Sequence, residues 1–97
     1  MITITQIIVD DKAALGLRVD LPKSPPLVMV VGKKGFIMCG FLNIDTAEKL
    51  GVAAAMVSGV KSCEDVLKAE VKKATSKAEA LGVKAGMKGE KALQILL

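Results

Sequence analysis

The first 21 residues alternate apolar and polar positions in two runs that predict a β-hairpin. Residues 2–9 are rich in β-branched side chains, which favour strands, and a polar turn follows them. In residues 14–21 every second residue is Leu or Val, and the residues between them include Gly16, Arg18 and Asp20. This period of two predicts a half-buried strand with its large aliphatic side chains inside and a wet outer face.

Residues 27–42 predict a second hairpin after a proline-rich break at residues 22–26. Residues 27–31 are continuously apolar, so we expect a central strand that is covered on both faces. A glycine-lysine turn leads into residues 36–42, where both alternating sets of side chains are apolar. This fourth strand is therefore also predicted to lie in the interior.

A crossover to a fifth strand follows the two hairpins. We expect Asp45 to be the N-cap of a helix, with Glu48 completing a capping box, and Gly51 to end it. Residues 54–58 are small and apolar and predict a strand closely covered by another element. Because a helix joins this strand to the preceding one, the two strands can run parallel.

The second half of the chain has helical signals. Ser62 and Asp65 have the spacing of an N-cap and its third helical residue, and an apolar period then runs to Leu81. Thr75 can instead cap a second, shorter helix that ends at Gly82, so one helix and two helices both remain open. A last helix is predicted over residues 90–97, with four apolar residues facing inwards: Ala92, Leu93, Leu96 and Leu97.

Strands thus fill the first half of the chain and helices the second, which predicts an α+β fold. We expect a mixed sheet of about five strands, made of two N-terminal hairpins and one later strand, with helices packed on one face. A chain of 97 residues is long enough for one compact domain over residues 1–97.

Composition removes several classes of function. The chain has no His, Trp or Tyr, which excludes serine-histidine triads, zinc-histidine sites and histidine proton shuttles. Its net charge of +4 falls entirely in residues 49–97 and is carried by dispersed lysines, as expected for solvated helix surfaces. With a single arginine, Arg18, and two phenylalanines, the chain lacks the usual means of reading bases, so nucleic acid is not an expected partner.

The two cysteines, Cys39 and Cys63, lie 24 positions apart and form no CxxC pair. We therefore expect free thiols and neither a metal site nor a bound cofactor. The chain begins with alternating Thr and Ile and lacks the pattern of a signal peptide, and no apolar run approaches the ~20 residues that span a bilayer. A cytoplasmic protein without a membrane segment is the expectation.

The segment GKKGFIMCGFLN, residues 32–43, resembles the YunC-like family of small bacterial and archaeal proteins, a domain of unknown function. The resemblance extends over most of the chain, through the following segments: Leu21 and Pro22, and residues 35–40, 57–67, 78–82 and 86–93. It implies a compact α+β domain with two short helices in place of one before residue 82, and it assigns no activity. The chain departs from the family at Lys88, where a small hydroxyl cap is expected.

Cys39 is the candidate catalytic residue. On its strand it shares a face with Ile37 and Phe41, which is typical of a thiol that serves as a small core hydrophobe. The alternative is a nucleophile, with Gly35 and Gly40 allowing a substrate close to the backbone. Without histidine, such a thiol needs a lysine, a carboxylate or a nearby positive charge to activate it.

Gly59, Lys61 and Ser62 form the candidate anion site. They join a strand to a helix, and backbone N–H groups and a lysine at such a junction can hold a phosphate or carboxylate. Ordinary capping by Ser62 explains the same residues, and the segment lacks the glycine and lysine order of a P-loop. Cys63 begins the helix, where the macrodipole favours a thiolate.

Two hypotheses follow. The protein is a non-enzymatic oligomeric or small-ligand binding module, with an anion as the possible ligand, or it is a thiol-dependent enzyme that uses Cys39 in a pocket beside the sheet. We also expect a homo-oligomer, most simply a dimer, because 52% hydrophobic residues exceed what a small core easily encloses.

Overall fold

Six strands form one mixed sheet over the residues that the structure, a computed structural model, describes: 1–40 and 42–97. In sequence order they are β1 (Ile2–Val9), β2 (Lys12–Val19), β3 (Leu27–Val31), β4 (Phe36–Met38), β5 (Ala54–Met56) and β6 (Lys73–Ala74). Their order in the sheet is the same, and β4 and β5 pair in parallel while the other neighbours are antiparallel.

The same residues contain four α-helices, which are α1 (Ile44–Leu50), α2 (Cys63–Lys68), α3 (Ser76–Leu81) and α4 (Gly89–Leu96). The α+β class and the mixed sheet are therefore confirmed, with one strand more than expected. The helices do not all lie on one face, however. α2 and α4 cover the face that carries Ile37 and Cys39, whereas α1 packs Ala47 on the opposite face against Met38 and Ala54.

β2 buries the face opposite to the one predicted. Ala14 and Gly16 are buried, whereas Leu15 on the other face is 47% exposed. The reason is space: a Cβ at position 16 would lie 2.8 Å from Cys63 Sγ, so α2 approaches the sheet where the side chains are smallest. Hydrophobicity alone does not reveal this preference for small residues.

β3 is covered on one face only, contrary to the prediction of a strand buried on both. Val28 and Val30 are buried, while the alternate residues Met29 and Val31 are half-buried. Met29 and Val31 belong to a surface that we call the open face, together with the side chains of β1 and β2 that point to the same side of the sheet. It consists of the β1–β3 side chains that point away from α2 and α4, namely Ile2, Ile4, Gln6, Ile8, Ala13, Leu15, Leu17, Val19, Met29 and Val31.

The crossover from β4 through α1 to β5 is as predicted, and the two strands run parallel. The N-cap of α1 is Asn43 and not Asp45, since Asn43 Oδ1 accepts hydrogen bonds from Asp45 N at 2.8 Å and Thr46 N at 3.3 Å. Glu48 completes no capping box and accepts a hydrogen bond from Ser76 Oγ at 2.8 Å. Gly51 ends the helix with φ 73°, as expected.

Two helices with a strand between them replace the single long helix that the apolar period allowed. α2 is capped by Ser62, whose hydroxyl accepts a hydrogen bond from Asp65 N at 3.1 Å. α3 is capped by Thr75 and ends at Gly82, which has φ 111°. The intervening β6 pairs with β5 and has no separate signal in the sequence.

The last helix has the predicted inner face and no side-chain cap. Its apolar residues Ala92, Leu93, Leu96 and Leu97 are buried, while Lys88 at the N-cap position makes no capping hydrogen bond. Gly89 brings the start of α4 directly against the carbonyl of Val66 in α2, leaving no room for a Cβ.

Candidate functional site

Cys39 immediately follows β4 and continues its pairing with β3. Its N–H donates to Val28 O at 3.2 Å, and Val28 N–H donates to Cys39 Sγ at 3.4 Å. The side chain is 4% exposed and joins the core beneath the helices, which confirms the predicted burial. Phe41, which was predicted to share this face, lies outside the described residues.

A cavity of about 350 Å³ lies at the edge of the sheet where β4 and β5 end. Three segments form its walls: Pro25 and Pro26 before β3, Cys39 and Gly40 after β4, and residues 58–61 after β5. They meet because β3 begins where its antiparallel neighbour β4 ends, and because parallel strands place their carboxyl ends at one edge. In open sheets this edge is where ligands commonly bind.

The topology therefore brings together two of the segments singled out in the sequence. Gly59 and Lys61 line the same cavity as Cys39, although they lie 20 or more positions away in the chain. Gly59 has φ 72°, a left-handed conformation that glycine adopts without strain, and this turn places Lys61 at the rim.

Ser62 is not among the residues that line this cavity. Its hydroxyl caps α2, and the carboxylate of Asp65 in turn accepts a hydrogen bond from Lys61 N at 3.1 Å. The Asp65 carboxylate thus bonds the residue before the N-cap and not the N-cap itself, and the two bonds take up backbone donors that the sequence offered to an anion. The anion hypothesis consequently depends on the Lys61 ammonium and not on the end of α2.

The charge of the cavity is simple. Among the described lining residues Lys61 is the one cation, and none is a carboxylate. Pro25, Pro26 and Val60 supply apolar surface, and the Cys39 thiol supplies a weak hydrogen-bonding group. The arrangement suits a small molecule that has one negative group and a short apolar part.

Gly40 lies on the side of the cavity that is open to solvent. It is exposed, and a Cβ built there would meet no atom within 4 Å, so a ligand can approach the backbone next to Cys39. The thiol itself is reached only through its small exposed fraction. Lys61 is the only other titratable group among the described lining residues, so it is the one side chain there that can favour a thiolate.

Cys63 lies away from this cavity, between α2 and β2. Burial raises its pKa above the ordinary thiol value of 9.0, while a hydrogen bond with the Leu17 backbone and the charge of Arg18 act in the opposite direction. Desolvation thus opposes the thiolate that the helix terminus was expected to favour.

The third wall of the cavity, Pro25 and Pro26, was missed in the sequence. The prolines predict a break between hairpins, and the predicted pairing of residues 27–31 with 36–42 also places residue 26 beside the end of β4. The hairpin register was thus the signal that could have found them.

Over residues 1–40 and 42–97, no three Cys, Asp or Glu side chains gather into a group able to hold a metal ion. In the same part of the chain, every helix is too short or too polar to cross a bilayer.

Comparison with known proteins places the chain in a family. It is 32% identical to the uncharacterized protein YunC of Bacillus subtilis (strain 168) over 97 residues, which cover 96% of this chain and 95% of that protein. The crystal structure of a protein of unknown function, TA1206 from Thermoplasma acidophilum, superposes with a TM-score of 0.94 at 34% identity, covering 100% of this chain and 94% of that one. The family model for the domain of unknown function DUF1805 matches residues 38–96. YunC is thus a relative of this chain, and the chain belongs to the DUF1805 family.

Proposed function

We propose that the protein is a non-enzymatic, homo-oligomeric binding module that holds a small anionic ligand in the cavity at the ends of β4 and β5. The observation that carries this proposal is the convergence of Cys39 and residues 58–61 on one cavity. Its volume of about 350 Å³ lies at the lower end of the range for small-molecule sites.

The electrostatics of the cavity favour an anion over a cation or a neutral sugar. Lys61 supplies a positive charge at the rim, and no described lining residue opposes it with a carboxylate. The two prolines and Val60 offer apolar contact to the rest of the ligand. A short-chain carboxylate combines both properties, and inorganic phosphate tests the charge alone.

The test is to titrate the protein with butyrate and with inorganic phosphate and to monitor binding through the amide chemical shifts. Binding in the cavity should move the signals of Gly40 and Gly59, and Lys61→Gln should abolish the shifts. Lys84→Gln is the matched control, because it removes the same charge at an exposed position outside the cavity. Shifts that survive Lys61→Gln, or that disappear equally in the control, would refute an anion site here.

A thiol-dependent enzyme is the second candidate, favoured by the position of Cys39 beside the exposed Gly40 in the same cavity. Alkylation with iodoacetamide distinguishes it from the binding module, with Cys63→Ser used to leave one thiol. A Cys39 that reacts only at the rate of unfolding is structural. Rapid modification of the native protein, slowed by butyrate, would instead favour the enzyme.

The proposal includes a cytoplasmic location, supported by two free cysteines, one buried and one half-buried. It includes no nucleic-acid partner, since a single arginine and dispersed lysines offer little for base recognition. Retention on DNA or RNA that falls steeply with salt would contradict this part of it.

The homo-oligomer, most simply a dimer, is supported by the size of the uncovered apolar surface. Isoleucines of β1 are among the large hydrophobic residues most exposed in the described structure. Light scattering at micromolar concentration should give more than the 10.1 kDa of one chain, and that mass alone, independent of dilution, would overturn the oligomer.

A further inference from the structure

We propose that a second cavity, at the opposite edge of the sheet, binds a phosphate monoester that carries an apolar group. The cavity beside Cys39 is called the first cavity from here on. The inference goes beyond the proposed function and does not depend on it, because the two cavities have no lining residue in common among the described residues. It is carried by three lysines that surround an apolar cavity in which no described lining residue is a carboxylate.

The second cavity has a volume of about 550 Å³ and lies where β4 and β5 begin. Three segments form its walls: residues 31–36, which include the turn from β3 to β4, residues 51–53 after α1, and part of α3. Because β4 and β5 are parallel, their amino ends meet at one edge of the sheet, opposite the edge that holds the first cavity. Val31 places the second cavity at the border of the open face.

The walls of the second cavity are mostly apolar. Phe36 and Val52 are half-buried, Ala53 is buried, and Leu81 in α3 is 44% exposed. A half-buried aromatic ring beside aliphatic side chains offers contact to a ring or to a branched aliphatic group. The volume lies within the usual range for small-molecule sites. The ligand therefore needs an apolar part.

Three exposed lysines surround these walls, namely Lys33 and Lys34 in the turn and Lys77 in α3. The described lining thus has three formal positive charges, compared with the single lysine of the first cavity. Within residues 1–40 and 42–97 the one ion pair joins Arg18 to Asp20, so none of the three lysines is paired with a carboxylate there. A dianion matches this charge better than a monocarboxylate does.

The neighbouring carboxylates compete little for these lysines. Glu48, in the last turn of α1, accepts hydrogen bonds from Ser76 N at 3.0 Å and from Ser76 Oγ at 2.8 Å. Lys33 also lines an adjoining cavity that contains Asp11, so its charge is shared between two cavities. The other two lysines are consequently the positions on which the test relies.

The turn that carries two of the lysines is fixed by close backbone contacts. Gly32 N donates to Gly35 O at 2.8 Å, and Lys34 N donates to Leu96 O at 2.9 Å. A Cβ at Gly32 would collide with the carbonyl of Leu96, and a Cβ at Gly35 would collide with that of Ala53. A backbone that is already ordered lowers the entropic cost of binding, so the turn is prepared to hold an anion.

The test is to titrate the protein with phenyl phosphate in low salt and to monitor amide chemical shifts. Inorganic phosphate and phenol serve as the two halves of this probe, at about pH 8, where the phosphates carry close to two charges. We expect phenyl phosphate to bind at least about ten-fold more tightly than either half, because part of its ring is buried. Its binding should shift the signals of Gly35 and Gly51 and leave those of Gly40 and Gly59 unchanged.

The variants separate the charge of the second cavity from its apolar wall. Lys34→Gln and Lys77→Gln should each weaken phenyl phosphate binding about five-fold, the upper range for an exposed ion pair. Lys72→Gln is the matched control, since this residue is exposed and lies outside the cavity, and it should have no effect. Lys61→Gln should have none either. Leu81→Ala should weaken the binding of phenyl phosphate and not that of inorganic phosphate, and circular dichroism checks that each variant is folded.

Several results would overturn this site. One is the absence of phenyl phosphate binding, and another is an affinity for phenyl phosphate no higher than that for inorganic phosphate. An equal loss in Lys72→Gln would reveal diffuse attraction to a basic surface, and a loss in Lys61→Gln would place the ligand in the first cavity. If butyrate fails to shift Gly40 and Gly59, the proposed function is refuted while the second cavity is unaffected, so the two failures are distinguishable.

Discussion

The hydroxyl of Thr75 is a hydrogen-bond partner of the backbone N–H of Ala54. Thr75 Oγ1 accepts a hydrogen bond from Ala54 N at 3.0 Å and donates to Val52 O at 2.8 Å. The same oxygen accepts from Ala78 N at 3.3 Å, which caps α3. One buried side chain thus joins the start of β5 to the start of α3, and it is 1% exposed.

Thr75→Val should lower the free energy of unfolding by roughly 2 to 4 kcal/mol, because it keeps the shape but removes the acceptor of the buried Ala54 and Ala78 N–H groups. Thr75→Ser retains the hydroxyl and should cost about 1 kcal/mol for the lost methyl group. Urea denaturation measures both. Equal losses in the two variants would show that the hydroxyl contributes little.

Gly89→Ala should destabilise the protein by about 1 to 3 kcal/mol, because a methyl group there meets the carbonyl of Val66 and forces α2 and α4 apart. Gly40→Ala is the control, since its Cβ would meet no atom within 4 Å. It should be neutral or slightly stabilising. If thermal unfolding gave the same change for both, close helix contact would not be the reason for glycine at position 89.

Asn43→Ala should cost about 1 kcal/mol through loss of the N-cap of α1, and Asp45→Ala should cost less, as Asp45 only adds a negative charge to the first turn. Urea denaturation in low salt compares them. A larger loss of stability in Asp45→Ala than in Asn43→Ala would show that Asp45 is the N-cap.

Wild type should lose stability relative to Cys63→Ala as the pH rises above about 9. Burial raises the pKa of Cys63 in the folded state, so the unfolded chain loses the thiol proton at a lower pH than the folded protein does. The thiol contribution is therefore fully present below the ordinary pKa of 9.0 and declines as the pH rises through the folded value. Parallel urea titrations of the two proteins, which share all other ionising groups, measure the difference. A constant difference between pH 7 and pH 10.5 would mean that Cys63 keeps its ordinary pKa.

Alternation and caps were sufficient to predict much of the sheet. The bounds of β1 and β3, the parallel crossover and the ends of α1 and α3 at Gly51 and Gly82 follow from local chemistry. The buried face of β2 does not follow from local chemistry. The close approach of Cys63, and not hydrophobicity, requires a small residue at Gly16. β6 was missed because its two residues gain their hydrogen bonds from β5 and carry no period of their own.

The parts of the candidate site were visible in the sequence, but their meeting was not. Cys39 and Lys61 were singled out for separate reasons, and only the order of β4 and β5 in the sheet brings them to one cavity. The capping bond between Lys61 and Asp65 depends on side-chain direction, which spacing alone leaves open.

The absence of a side chain at Gly16 has a consequence for the cavity as well as for the core. Gly16 determines how deeply α2 can settle on the sheet, and the segment that carries Lys61 leads directly into α2. A larger residue at position 16 would lift the start of the helix and move the Lys61 ammonium relative to Cys39. Under the proposed binding function, we expect a substitution at position 16 to change selectivity for ligand size, although Gly16 does not line the cavity.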